Sequence, residues 1–452
     1  MVQYMDLNHS IVLKKMQKVI AVFDVGKTNK KILLFNKDFE VVYTNSIRFE
    51  EIVDDDNYPC DDIQLIEAWI KKEVKTIQEK NEFTIKALNF STHGATLVYL
   101  DKDGNRVAPF YNYLKPLDFD FIPFYQANGG VEEFSRKTAS PAYGMLNVGL
   151  QMYWLKNSKP HFWSKVDSIL HYPQYLSYLF SNKITTDFTS LGAHTAIWNF
   201  DTMQYHNWLK IENITLPEPK SDKKAALSLI NGQEIFVGKG LHDSSSSIIP
   251  LLENHQDSQS EFILLSTGTW VVCMNPFSKE ALTSHELKNN CLCYMTPDKK
   301  QIKSSMLFLG HIHEVNAIEL STYFGVDKNH YLELSLNKKL CSDIISKSKS
   351  IFFPSKIAND FKIDLLQIDK FFSYEYAYYQ LIYEITQRVY DGINLILDSK
   401  NNLKEVYISG GFNRNHIFVE YLDQIMPEQK IRFPNGKNAS ALGAAMLMRE
   451  YL

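Results

Sequence analysis

No stretch of this 452-residue sequence stays apolar long enough to cross a bilayer, although 45% of its residues are apolar. The opening "MVQYMDLNHSIVLKKMQK" lacks the continuous apolar centre of a secretory signal and reads as a short leader before the first strand. Charge of one sign is missing too: 48 Lys and Arg stand against 52 Asp and Glu, and the basic residues are scattered. That balance argues against nucleic acid as the main partner but leaves room for small anionic ligands. Cysteine is scarce, with Cys60, Cys273, Cys291, Cys293 and Cys341 as the full set. An odd, dispersed count fits reduced thiols in a cytoplasmic protein better than a disulfide frame. Cys291 and Cys293 are too close for the usual metal grip and have no paired Cys or His cluster nearby. They are expected as buried residues on one face of a strand.

Glycine is absent until Gly26, in "VIAVFDVGKTNKK" (residues 19–31). Gly26-Lys27-Thr28 resembles the end of a Walker loop, which needs another glycine at position 21, where Ala21 stands. A Walker loop also opens a helix. Here "KKILLFNKDFEVVYTNSIRF" reads as strand, polar turn over 36–39, and strand. A hairpin therefore carries this loop.

The length allows two or three domains, each with a core. A third strand follows over 41–48. Residues 61–81 then show helical spacing, with Ile63, Ile66, Ala68, Trp69, Ile70, Val74 and Ile77 gathered toward one side. "IKALNFSTHG" is a buried strand ending in Gly94, and "TLVYLDKDGNRV" reads as a hairpin turning at Asp103 and Gly104. Three strands, a helix and a strand suit a mixed sheet rather than a βαβ series. Residues 112–231 are rich in aromatics on helix-compatible stretches, which serve packing between helices, with ligand stacking as the other use. The second half repeats the grammar. "EFILLSTGTWVVCMNPF" is strand, small-residue turn over 266–269, and strand; "NNCLCYMTPDKKQIKSSML" is a hairpin turning over 296–299. A long helix is expected over 369–399. "KEVYISGGFNRNHIFVEYL" gives strand, Gly-Gly turn and helix, and "ASALGAAMLMREYL" a closing helix with small residues on one side.

Four motifs, "DVGKTN", "GLHDSSSS", "LSTGTW" and "ISGGFNRN…ALGAA", stand in the order and at about the separations of the FGGY carbohydrate kinases, which the chain resembles along essentially its full length. The resemblance implies an α/β fold of two actin-like (ribonuclease H-like) domains with mixed five-stranded sheets and a central cleft. Residues 1–250 would form a sugar-binding domain and 251–452 an ATP-binding domain. The implied cofactors are ATP and Mg²⁺. Hairpins from facing domains would clamp the triphosphate: Asp24, Lys27, Thr28 and Asn29 on one side, Thr267, Gly268 and Thr269 on the other. Asp24 by family position helps hold the metal. Lys27 departs from the family's small or hydroxylated residue, and two orientations stay open, onto the phosphates or into solvent. Gly410, Gly411 and Asn415 resemble the adenosine motif, with the adenine pocket between 300 and 320 unassigned.

On the acceptor side the catalytic aspartate maps to Asp243, with His242 beside it. An ionised carboxylate there can orient a sugar hydroxyl and accept its proton. The alternative for Asp243 is a helix N-cap, since "DSSSSIIPLL" can start a helix. His93 stands where relatives have Trp, and with Gly94, His242 and Asp243 would line the sugar pocket. The usual Tyr-Arg-Asp appears as Tyr113-Leu114-Lys115. His311 and His313 have metal-like spacing only on a strand and read as a polar patch. The expected activity is ATP-dependent phosphorylation of a primary hydroxyl of a rhamnulose-like or fuculose-like ketose. Alternatives are a kinase for xylulose, ribulose or glycerol, and a non-catalytic nucleotide-binding module. The implied partner is a small sugar, not nucleic acid or membrane, and a homodimer is compatible with the reading.

Overall fold

The computed structural model of the chain describes residues 16–221, 224–256, 258, 260–353, 365–434 and 438–452. The leader lies outside them except for its last three residues, two of which begin the first strand.

The first sheet contains β1 (Gln17–Val25), β2 (Lys30–Phe35), β3 (Val41–Ile47), β4 (Phe83–Thr92), β5 (Ala226–Ile230), β6 (Gln233–Val237) and β7 (Leu241–His242), in the order β5-β6-β4-β1-β2-β3 with β7 also on β4. The β1–β2 and β2–β3 pairs are antiparallel, whereas β4 runs parallel to β1 and to β6. The second sheet contains β8 (Glu261–Thr267), β9 (Val271–Asn275), β10 (Cys291–Met295), β11 (Gln301–Leu307), β12 (Leu403–Gly410) and β13 (Lys430–Arg432), in the order β10-β11-β9-β8-β12-β13. Each sheet thus holds the expected five-strand core, β6-β4-β1-β2-β3 and β11-β9-β8-β12-β13. Edge strands extend both, giving seven and six strands.

β1 is apolar on both faces because both faces are covered. Val19, Ala21 and Phe23 pack against Ile66, Ile70 and Val74 of helix α1 (Ile63–Glu79), while Ile20 and Val22 pack against Ala441, Ala444 and Ala445. Asp62 starts α1 by accepting the N–H groups of Gln64 and Leu65, worth about 1 kcal/mol. Ala68, expected on the apolar face, is exposed. Each large side chain buried on that face contributes about 1.5–3 kcal/mol.

Two local expectations change. The strand Leu97–Leu100 pairs chiefly with Ser168–His171 rather than with the residues after Gly104. Only Leu100 and Arg106 bridge across that turn, because Pro109 has no N–H to extend the ladder. The long helix is also shorter, Tyr374–Leu395, because the Ser373 side chain caps it by accepting the Tyr376 N–H. The aromatic middle segment packs as a helical core, with Phe124 against Phe134 (5.1 Å) and Trp208 (5.4 Å). Cys291 and Cys293 are buried on one strand, as expected.

Three more helices position the site: α2 (Asp243–Ser247), α3 (Leu309–Phe324) and α4 (Tyr374–Leu395). Two further ones are α5 (His416–Ile425) and α6 (Ala439–Met446). The chain returns through α6 to the first sheet, where the Asn89 amide donates to the Ala444 carbonyl at 2.9 Å. The small residues of α6 permit this contact. A Cβ on Gly443 would lie 2.0 Å from the Ser246 carbonyl oxygen of α2.

Candidate active site

Strand pairing assembles the acceptor side. β7 runs parallel to the end of β4, with Leu241 opposite Ser91 and His242 opposite Thr92. That register sets His242 and Asp243 beside His93 and Gly94. A Cβ on Gly94 would stand 3.0 Å from His242 Cδ2, so the bare backbone is what lets the ring lie there.

Asp243 is the first residue of α2, and the cap position itself is His242, whose side chain makes no capping bond. Asp243 Oδ1 accepts the Ser244 N–H at 2.6 Å and lies 3.4 Å from His242 Nε2. Oδ2 has no partner among the described residues. Asp243 is therefore not the N-cap: Oδ1 is occupied by the neighbouring N–H at the start of the helix, and Oδ2 is left unbonded among the described residues.

Asp24, next to the last residue of β1, lies opposite Ser91 and accepts the Ser440 hydroxyl at 3.2 Å. Burial pushes its carboxyl up to about 6, and the charge of Asp243 pushes the same way. Burial likewise pushes Asp243 up to about 6. Two carboxylates held close in a partly dry cleft repel, and a hard divalent cation relieves that repulsion. The donor set therefore fits Mg²⁺.

Burial pushes His93, His171, His194 and His242 down to about 4, so all four are neutral at physiological pH. The His93 ring packs against Tyr113 (5.6 Å) and Tyr172 (5.3 Å). Tyr294 reaches across from β10 of the second sheet and stacks on His242 at 5.5 Å. Sequence reasoning missed Tyr294, His171 and His194, which have no local motif and arrive from distant segments.

Lys27 takes neither expected course. Its ammonium is bonded to Glu51 (2.6 Å) and Asp61 (2.9 Å), which a short strand pair, Glu51–Val53 with Pro59–Asp61, brings to the loop. Lys30 lies buried beneath it and donates to Asp61 (2.8 Å) and to the Lys27 carbonyl (2.7 Å). Thr28 and Asn29 sit at the exposed tip, where Asn29 Oδ1 accepts from Arg48 Nε. Lys115 is buried between Asp54 and Asp56, at 2.6 Å from each.

On the other side of the cleft, a cavity of about 640 Å³ is lined by Thr267, Gly268, Thr269, Gly310, His313, Gly411 and Asn415, with Ala317, Ile318 and Leu332 at its apolar end. Gly410 has φ +87° and its Cβ would lie 1.8 Å from the Thr267 carbonyl oxygen, so only glycine lets β12 and the second loop meet. The Thr267 hydroxyl is used in that seam: it donates to the Ser409 carbonyl and accepts the Phe412 N–H. Asn415 is also spoken for, since Oδ1 accepts the Ile417 and Phe418 N–H groups and Nδ2 donates to Tyr378. His311 and His313 do not form a patch, because α3 is a helix and residues two apart point about 200° from each other. The His311 ring packs on Phe308, while His313 bonds to Tyr378. A second cavity of about 730 Å³ holds Asp243 and Ser440 together with Ser266 and Ser409, so the acceptor side and the end of β8 share one space.

Comparison with known proteins identifies the family and the fold. The N-terminal domain of the FGGY family of carbohydrate kinases matches residues 19–244. The chain is 23% identical over 275 residues to the rhamnulokinase of Oceanobacillus iheyensis, covering 56% of this chain and 55% of that protein. It is 25% identical over 264 residues to the rhamnulokinase of Mannheimia succiniciproducens, covering 56% and 52%. The matched region thus spans about half the length of these curated relatives. Among solved structures, a carbohydrate kinase from Novosphingobium aromaticivorans superposes with a TM-score of 0.75 at 17% identity, covering 97% of this chain and 92% of that one. A ligand-bound xylulose kinase from Lactobacillus acidophilus gives 0.75 at 16% identity, covering 96% and 89%. The gluconate kinase of the same species gives 0.74 at 18% identity, with the same coverage. At these identities the superpositions establish a shared fold.

Proposed function

The chain belongs to the FGGY family of carbohydrate kinases, and on that footing we propose that it transfers the γ-phosphoryl group of ATP to a primary hydroxyl of a small ketose or deoxyketose, rhamnulose-like or fuculose-like. The observation that carries the reading is the pair Asp24 and Asp243, near enough for the charge of Asp243 to raise Asp24, with Asp243 Oδ2 unbonded among the described residues. Asp243 Oδ2 takes the proton of the acceptor hydroxyl as its oxygen bonds to phosphorus. The backbone groups of 26–29 and 267–269 hold the phosphates, and the cleft between the sheets keeps water from the reacting group. Asp24 and Asp243 would hold Mg²⁺, which when bound neutralises charge on the phosphates.

The acceptor wall supports a neutral substrate. Its four histidines carry no charge, and Lys27 and Lys30, the lysines whose charge reaches His93, are already bonded to Glu51 and Asp61. A sugar acid would bring its carboxylate to Asp24 and Asp243. The division at residue 250, with α6 returning to the first sheet, belongs to this reading. So do a cytoplasmic location, which the free cysteines support, and a homodimer. ADP release from Mg-ATP with rhamnulose, fuculose, xylulose, ribulose, glycerol and gluconate tests it. The highest kcat/KM should fall on a 6-deoxyketose. A preference for xylulose, ribulose or glycerol selects the other kinase reading. Nucleotide binding with no sugar-stimulated ADP selects the non-catalytic module.

A further inference from the structure

We propose that His313 is a nucleotide-specificity residue, presenting a fixed Nδ1–H donor to a ribose hydroxyl. The inference rests on the nucleotide reading above and on a chain of three side chains from three segments. Asn415 Oδ1 accepts two backbone N–H groups at the start of α5, which fixes the orientation of its amide. Its Nδ2 therefore faces the Tyr378 oxygen and donates to it at 2.9 Å. Tyr378 is fully buried and lies 3.0 Å from His313 Nε2. With its oxygen already receiving the amide proton, the phenol has its own proton to place. His313 Nε2 is the acceptor in reach, and a buried hydroxyl that left that bond unmade would carry a substantial penalty. Nε2 thus accepts, so the ring proton sits on Nδ1. Burial holds the imidazole neutral, pushing it down to about 4, which keeps this tautomer across the physiological range.

Nδ1 has no hydrogen-bond partner among the described residues, and His313 lines the 640 Å³ cavity. Its place along α3 selects the ribose. Gly310, His313 and Ala317 share one stripe of the helix, and all line the cavity. At 1.5 Å per residue, His313 lies about 4.5 Å and Ala317 about 10.5 Å along the axis from Gly310. Gly310 stands beside Gly268 and Thr269 at the phosphate end. Ala317, Ile318, Leu332 and Leu334 make the apolar end where a base would lie. The histidine falls between them, at the level of the sugar. Phe412 and Tyr331 pack on its ring (5.3 and 5.2 Å) and restrict its rotation.

Calorimetric titration of the full chain with ADP, 2′-deoxyADP and 3′-deoxyADP tests this without any mutation. At least one deoxynucleotide should bind about three- to tenfold more weakly than ADP, the effect of one neutral hydrogen bond. In His313→Phe that preference should vanish through weaker ADP binding, with the deoxynucleotide unchanged. His313→Asn, whose amide reaches close to the Nδ1 position, should restore part of it. Tyr378→Phe should shrink the preference by releasing the tautomer. Equal binding of all three nucleotides to the unmodified chain overturns the inference. So does an equal loss of ADP and deoxyADP affinity in His313→Phe, which would mark a purely structural ring. Failure of the folded chain to bind ADP at all would overturn the nucleotide reading itself.

Discussion

Asp243 uses one oxygen at the start of a helix and leaves the other unbonded among the described residues, and that division makes its role separable by mutation. Asp243→Asn keeps an acceptor for the Ser244 N–H but removes the base. In a coupled ADP assay kcat should fall roughly 10²–10⁴-fold, with ADP affinity and melting temperature near those of the parent. A variant that melts early yet keeps its turnover would show that only the helix-holding oxygen matters. In the unmodified enzyme kcat/KM should decline as pH drops below about 6, where the Asp243 carboxylate takes up its proton. The two lysines of the first loop are equally distinguishable. Lys27 is partly exposed, so Lys27→Met should cost at most about 1 kcal/mol and leave the KM for ATP unchanged. Lys30 is buried on Asp61, and Lys30→Met should cost roughly 3–5 kcal/mol in urea unfolding by leaving that carboxylate poorly paired.

At the scale of elements, the contact of α6 with α2 links the end of the chain to the chemistry. Gly443 lies against the Ser246 carbonyl, and Ser440, one turn earlier, donates to Asp24. Gly443→Ala should force the helices apart, destabilise by about 1–3 kcal/mol and lower kcat more than the lost stability explains. Unfolding curves and kcat per folded molecule, measured together, check both halves of that statement. Elements were readable in the sequence where the signal is local. The first hairpin, the second one (read at 266–269 and found at 268–270), the amphipathic α1 and the Gly-Gly turn all follow from residues within a few positions of one another. Asp24 and Asp243 were singled out through the resemblance of their motifs, and the structure sets the two carboxylates near each other, at the end of β1 and just after β7. What was illegible depends on contacts between distant segments. Lys27 meets Glu51 and Asp61 only because a short strand pair folds back on the loop. Tyr294 reaches His242 only once the two sheets face each other. His313, Tyr378 and Asn415 come from a helix, a second helix and a cap, and no spacing rule connects them.

The whole molecule carries its buried histidines as an acid sensitivity. His93, His171, His194, His206, His242 and His313 all have folded values of about 4, below the 6.5 of an unfolded chain. Their contribution is present above about pH 6.5 and is lost as pH falls toward 4, because the unfolded state then binds protons the folded state refuses. Asp24, Asp187 and Asp243, raised to about 6, act oppositely between 3.8 and 6. The histidines outnumber them, leaving an uptake of roughly two to three protons on unfolding near pH 5. The melting temperature of the ligand-free protein should therefore be flat from pH 8 to 7 and fall steeply from 6.5 to 5; a rise on acidification would contradict it. The return of α6 has a further consequence, for biosynthesis. Ile20, Val22 and Ala87 are covered by Ala441, Ala444 and Ala445, residues translated more than 350 positions later than the strands they protect. At roughly 5–20 residues per second, an apolar face of the first sheet stays bare for about 20–70 s while the ribosome finishes the second half. That interval leaves part of the face open to chaperones, and the packing of the first sheet is completed only when α6 arrives.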